Sequence, residues 1–214
     1  MPLEKALAAV LSDKGRFGQI LIQRIGSGGF VVCHRDDENS RALKIFRNSE
    51  DAIEIARHDD AGKYRPLKTA PNLRHGWRLE VVDLSELEQA LDYFYPGRLA
   101  MLAAQKENRL TTTPLRETLD RQSGMYRVAA KISDEQIDDV VGNFCKSEGG
   151  CLRTILWNRD KSSAIPSSKL PAEKFDPAHD QTGDGKKTIP LLCQEACNLL
   201  VAECRKVVRG DTEE

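Results

Sequence analysis

No run of about eighteen apolar residues occurs in the chain, so a membrane-crossing helix is not expected. Charge of one sign is not in excess either. The 32 Lys and Arg stand against 33 Asp and Glu, for a net charge of -1. That balance supplies no global field to draw in nucleic acid or an anionic membrane. The opening stretch MPLEKALAAVLSDKGRFGQ has a short apolar run but lacks a basic stretch before it and a clear cleavage site. It reads as an opening helix and not as a secretory signal. The expected location is therefore the reducing cytoplasm, where structural disulfides are rare. There is no internal repeat.

What is present fits an ordinary globular protein. The 214 residues are 40% hydrophobic and 30% charged, enough for one domain or two small ones with a sizeable core. The expected fold class is α+β, with a small N-terminal antiparallel sheet and helices followed by a mostly helical C-terminal domain. Residues from Pro2 to about Leu11 read as a short amphipathic helix. FGQILIQRIG and GGFVVCHRDD read as a β-hairpin around Gly26-Ser27-Gly28-Gly29, RALKIF as a third strand and WRLEVVD as another. Ser49 is the expected N-cap of a helix through DAIEIARH. DLSELEQALDYFY has helical spacing, stops at Pro96-Gly97 and resumes in GRLAMLAAQKEN.

The character then changes, and a domain boundary is placed near Asn108 to Thr112, giving domains 1–108 and 109–214. Thr113 is the expected cap of a helix with Pro114 at its first position. Ser133 caps the next helix with Gln136 completing a capping box, and that helix is expected to run to about Cys145. CLRTILW is a strand candidate. Residues 158–188 form a long polar stretch. Pro190 is expected to open a final helix ending near Gly210.

One motif is a decoy. RIGSGGF followed by ALKIF imitates a kinase glycine-rich loop and lysine strand, and His34-Arg35-Asp36 imitates a catalytic tripeptide. The tripeptide precedes the lysine strand instead of following it, no Asp-Phe-Gly occurs, and the third glycine of G-x-G-x-x-G is missing. A hairpin turn accounts for the glycines.

Six cysteines carry the chemistry: Cys33, Cys145, Cys151, Cys193, Cys197 and Cys204. Four form close pairs, Cys145-x5-Cys151 and Cys193-x3-Cys197, on either side of the polar stretch. On a helix, Cys193 and Cys197 would share a face with Cβ atoms about 5–6 Å apart. A disulfide needs about 4 Å, so that spacing suits two thiolates on one metal centre better. Gly149 and Gly150 permit a tight turn returning Cys151 toward Cys145. A helix opening at Pro190 would put Cys193 in its first turn, where partial positive charge favours thiolate. Four thiolates fit tetrahedral zinc or an iron–sulfur cluster, and free cysteines can also be core residues. The C-x5-C spacing is wider than the usual zinc knuckle and leans toward a cluster. Cys204 would lie about 10 Å along the helix axis from Cys197 and reads as core, as does Cys33.

GRFGQILIQR, GKYRPLKTAPNLRHGW, RQSGMYR, the Cys145/Cys151 pair followed by RTILW, and IPLLCQEACNLLVAECR occur in that order. Together they resemble the bacterial 4Fe-4S-binding domain family associated with CbiX-type sirohydrochlorin chelatases. The resemblance covers most of the chain: the first half is similar to that family's stabilising domain and the second to its cluster-binding domain. It implies one [4Fe-4S] cluster on Cys145, Cys151, Cys193 and Cys197, with zinc as the alternative metal. It also implies an electron-transfer or accessory role in tetrapyrrole metabolism, with a CbiX-type chelatase or a redox protein as partner and a tetrapyrrole-like ligand. The chelatase domain is absent from these residues, and its metal-inserting histidines have no counterpart, since His34, His58, His75 and His179 are scattered in sequence. Arg65, Arg74, Arg121 and Arg127 are candidates for contacts with ligand carboxylates, although loop packing is the commoner reason for such residues. Trp157 is expected in the apolar shell that limits solvent access to the cluster.

Overall fold

The computed structural model describes residues 14–26, 28–59, 61–64, 73–122, 124–145, 153–161 and 187–210. The expected helix at 2–11 and most of the polar stretch 158–188 lie outside them. The chain divides into two compact units. The described part of the first runs from Lys14 to Arg109 and returns at 187–191. The second takes 110–161 and 192–210. The return of the chain to the first unit has no signal in the local sequence.

The first unit is built on a six-stranded sheet: β1 (Lys14–Phe17), β2 (Ile20–Ile25), β3 (Gly29–His34), β4 (Lys44–Phe46), β5 (Trp77–Val81) and β7 (Lys187–Ile189), in the order β4-β5-β3-β2-β1-β7. The four central strands pair antiparallel, and the two outer pairings, β4 with β5 and β1 with β7, are parallel. The sheet is therefore mixed within the expected α+β architecture. Alternation decides which face is buried: Trp77, Leu79 and Val81 of β5 are covered, while Arg78 and Glu80 between them are only half-buried.

Helices α1 (Asp51–Arg57) and α2 (Leu84–Phe94) pack on each other and on the sheet, and α3 (Arg98–Lys106) follows. Leu87, Ala90, Leu91 and Phe94 recur at helical spacing on α2 and are fully buried. Phe94 stacks on Trp77 at 5.0 Å between ring centroids. Burying each such large side chain contributes about 2–3 kcal/mol. Asp83 caps α2 by accepting from the Glu86 N–H (2.9 Å). Gly97 follows Pro96 in the left-handed conformation, which separates α2 from α3.

The second unit contains α4 (Leu115–Asp120), a 3₁₀ segment (Gly124–Lys131), α5 (Asp134–Val140), a π-turn (Val141–Cys145), β6 (Arg153–Ile155), β8 (Leu191–Cys193, shared with the first unit at Leu191) and α6 (Asn198–Arg209). The capping box is present as read: Gln136 N–H donates to Ser133 Oγ (3.2 Å) and Ser133 N–H to Gln136 Oε1 (3.0 Å). Gly210 ends α6 with φ of 73°. No helix among the described residues is long and apolar enough to cross a membrane.

Three helix starts differ from expectation. Glu50, not Ser49, is the N-cap of α1, because the Ser49 hydroxyl donates instead to Gln89 Oε1 (2.7 Å). Pro114, not Thr113, precedes α4, and the first N–H groups of the helix, on Leu115 and Arg116, donate to the Asn158 and Arg159 carbonyls (2.9 Å each) instead of to a threonine side chain. Most consequentially, Pro190 does not open the final helix. Leu191–Cys193 is a strand paired with β6, and α6 begins only after Cys197. Leu191 and Leu192 are both buried, and a short buried apolar run reads alike as strand or helix.

The turn between β1 and β2 tests the packing of the first unit. Gly18 has φ of 61°, and a Cβ there would lie 2.9 Å from Leu191 Cδ1 and from the Tyr95 ring. Gly18→Ala is expected to destabilise the protein by about 2 kcal/mol. Gly28→Ala, with nothing within 4 Å of its Cβ position, should stay within about 0.5 kcal/mol. Urea denaturation of both variants checks the contrast.

Candidate functional site

The second unit folds around one apolar cluster that includes Leu115, Leu119, Ile137, Val141, Trp157 and Leu200. Three of the four cysteines singled out by spacing, Cys145, Cys193 and Cys197, pack against this cluster while remaining partly exposed. The fourth, Cys151, lies outside the described residues. No disulfide joins any two of the five described cysteines.

Each of the three thiols is delivered by a different local structure. Cys145 is the last residue of the π-turn that continues α5. Such wide turns are rare and concentrate at functional sites. Cys193 ends β8, whose backbone is fixed by Leu156 N–H donating to the Cys193 carbonyl (3.0 Å). Cys197 is the N-cap residue of α6, in extended backbone, and its carbonyl accepts from Val201 N–H (3.1 Å). No acidic residue occupies the first turn of α6, and no side chain caps it. The unpaired N–H groups there favour negative charge beside Cys197. The positive helix end thus serves Cys197 and not Cys193, which corrects the reading based on Pro190. The disulfide argument from helical spacing falls with it, although no disulfide joins the two.

Trp157 lies within this apolar cluster, beside Cys193. Its side chain is only 1% exposed, and its indole N–H donates to Cys193 Sγ (3.3 Å). The Cys193 thiol in turn donates to the Glu195 carbonyl (3.2 Å). Glu195 faces Arg121, with 3.7 Å between their charged atoms. Among the described residues, no three thiols lie within 4.8 Å of one another.

An ion-pair network that sequence reading missed holds the Trp157 segment in place. Arg159 is 12% exposed and forks onto both carboxylate oxygens of Asp138 (2.6 and 2.5 Å), with Asp134 at 3.3 Å. Hydrogen bonding to Asp138 pushes the Arg159 pKa above its ordinary value. Arg116 joins by donating to Asp134 (2.5 Å) and to the Ile132 carbonyl (2.7 Å). The available signal was the i, i+4 pair Asp134/Asp138 on one helix face.

The arginines proposed for ligand carboxylates divide differently. Arg65 lies outside the described residues. Arg74 is in the first unit, where its carbonyl accepts from Trp77 Nε1 (2.6 Å). Arg127 is exposed on the 3₁₀ segment. Arg121 borders an open cleft of about 420 Å³ whose lining mixes Arg116 and Lys161 with Glu117, Asp120 and Asp160. Mixed charge does not single out a polyanion.

The histidines are less scattered than their numbering implies. His34 and His75 meet in the first unit, with ring centroids 4.1 Å apart. His34 is fully buried, and desolvation, aided by His75, lowers its pKa to about 4. His58 forms a bridge with Tyr64, and His179 lies outside the described residues.

Cys204 is buried on the apolar face of α6, as expected for a core residue. Burial pushes its thiol up to about 12. Iodoacetamide at pH 8 should therefore modify Cys145, Cys193 and Cys197 and leave Cys204 unmodified in the native protein, while unfolding exposes it. Peptide mass spectrometry reads the difference.

Two family models match the chain. The description "DR2241 stabilising domain" covers residues 5–106, and "4Fe-4S iron-sulfur cluster binding domain" covers residues 107–206. No curated protein matches. Among solved structures, the chain is similar to DR2241 from Deinococcus radiodurans, a multi-domain protein described as structurally similar to chelatases with two additional novel domains. The two share 27% identity with a TM-score of 0.72, over 97% of this chain and 41% of that one. The present chain thus spans less than half the length of that relative. The two family models meet at residues 106 and 107 and between them take up 5–206, so the chain carries a DR2241 stabilising domain followed by a 4Fe-4S iron-sulfur cluster binding domain.

Proposed function

We propose that this iron–sulfur protein holds one [4Fe-4S] cluster through Cys145, Cys151, Cys193 and Cys197, and that it serves as an electron-transfer or accessory protein in the cytoplasm. The observation that carries the reading is the Trp157 indole N–H on Cys193 Sγ, at the edge of the apolar cluster that also packs Cys145 and Cys197. The donor set fits the cofactor. Thiolates are the usual ligands of such clusters, N–H donors to sulfur tune their potentials, and a dry shell restricts solvent. The α6 N-terminus supplies partial positive charge beside an anionic group. The cluster, when bound, provides one-electron exchange. Trp157 orients Cys193 and excludes water from it, and the Arg159–Asp138 pair keeps the Trp157 segment in place.

Spacing supports several irons over a single zinc. The C-x5-C interval between Cys145 and Cys151 is wider than the usual zinc knuckle. The likeness to a chelatase-like multi-domain protein supports a role beside a chelatase of the CbiX type, and a tetrapyrrole-like molecule as the eventual ligand.

Protein purified without oxygen should be brown and carry about four irons per chain. A colourless preparation holding one zinc would contradict the reading. In the loaded protein, Trp157→Phe should keep the iron but lower the potential by roughly 40 mV, the equivalent of a hydrogen bond of about 1 kcal/mol for a one-electron couple. Anaerobic voltammetry measures the shift, and an unchanged potential would remove Trp157 from this role.

A further inference from the structure

We propose that His34, Asp36 and His75, in the first unit, form a binding site for a divalent first-row transition ion such as zinc, separate from the cysteine site. One ligand atom from each residue lies within 4.8 Å of the other two, and among the described residues no other trio of His, Cys, Asp or Glu does so. Two imidazoles and one carboxylate form a donor set suited to zinc, nickel, copper or iron. Three protein ligands leave a position for water or an incoming group.

The local geometry turns one His34 nitrogen toward the Asp36 carboxylate. Nδ1 of His34 accepts the Asp36 N–H (3.2 Å) and lies 3.7 Å from Asp36 Oδ2. Its one lone pair points to the side on which the carboxylate stands, and an ion bound there would take the place of the Asp36 N–H. Two ligands at about 2.0–2.2 Å from one ion sit roughly 3–4 Å apart. The other ring nitrogen, Nε2, is buried and has no partner. Asp36 and His75 are exposed, so an ion could reach the site from solvent.

The two segments that supply the ligands are fixed to each other before any ion arrives. The Asp37 carboxylate, next to Asp36, accepts from Gly76 N–H (2.6 Å), next to His75. On its other side, the Gly76 carbonyl accepts from Lys44 N–H (3.0 Å). Leu73 N–H donates to the buried Gln19 Oε1 (3.1 Å), and the Arg74 carbonyl accepts from Trp77 Nε1 (2.6 Å). Gly76 has φ of 83°, which admits the sharp turn after His75. Hydrogen-bonded support of this kind orients metal ligands in established sites.

The test uses the full chain with labelled imidazoles, titrated with zinc chloride under reducing conditions and followed by NMR. The His34 and His75 ring signals should shift together to saturation, while those of His58 and His179 stay in place. His75→Gln and Asp36→Asn alter exposed side chains, and each should weaken the zinc response of His34 about tenfold or more. Cys193→Ser should leave the histidine response intact, which separates this site from the cluster. Rings unmoved by saturating zinc, a shift shared by all four histidines, or a His34 titration unchanged by His75→Gln would each overturn the proposal.

Discussion

The buried indole of Trp157 is the contact on which the second unit depends. It is buried in the apolar cluster and at the same time presents its N–H to Cys193 Sγ. An indole buried in a core must find a partner for that N–H. Here the partner is a sulfur, so core packing and thiol placement are one requirement. The neighbouring Arg159 closes the arrangement by forking onto Asp138, which ties the Trp157 segment to α5, the helix whose π-turn ends in Cys145. Disturbing the ion pair would reach the thiols through the tryptophan.

A similar economy holds in the first unit. Gln19 sits buried at the β1–β2 turn, where its carbonyl accepts from Arg35, its side chain from Leu73, and its own N–H donates to Tyr95. One residue thereby fixes the end of β3, the approach to β5 and the end of α2. The same bonds hold His34 and His75 in register. A sheet whose outer strands join in parallel brings together segments far apart in sequence, and β1 with β7 is the extreme case, Gly15 facing Lys187.

Elements specified by local chemistry were legible in the sequence. The glycine-rich turn of the β2–β3 hairpin, the Ser133/Gln136 box and the Gly210 stop depend on neighbours a few residues away. The cysteine pairs were legible as chemistry because their spacing survives any fold. What failed depended on tertiary partners. Pro190-Leu191-Leu192-Cys193 has the composition of a helix start, but pairing with β6 and burial of both leucines make it a strand. Thr113 has a capping side chain, but the first N–H groups of α4 donate to the Asn158 and Arg159 carbonyls. The approach of His34 to His75, and the Arg159 fork, have no local signature.

The cysteine assignment is the centre of the account. Cys145, Cys193 and Cys197 share one apolar cluster, Cys204 is sealed inside it, and Cys33 belongs to the other unit. Replacing each of the six cysteines in turn, with alanine at Cys204 and serine at the others, and quantifying iron and acid-labile sulfide after anaerobic reconstitution, tests it most directly. The account predicts that changes at 145, 151, 193 and 197 each diminish or abolish the cluster, while those at 33 and 204 retain it. Full iron retention in any of the first four, or loss on replacing Cys33, would contradict it.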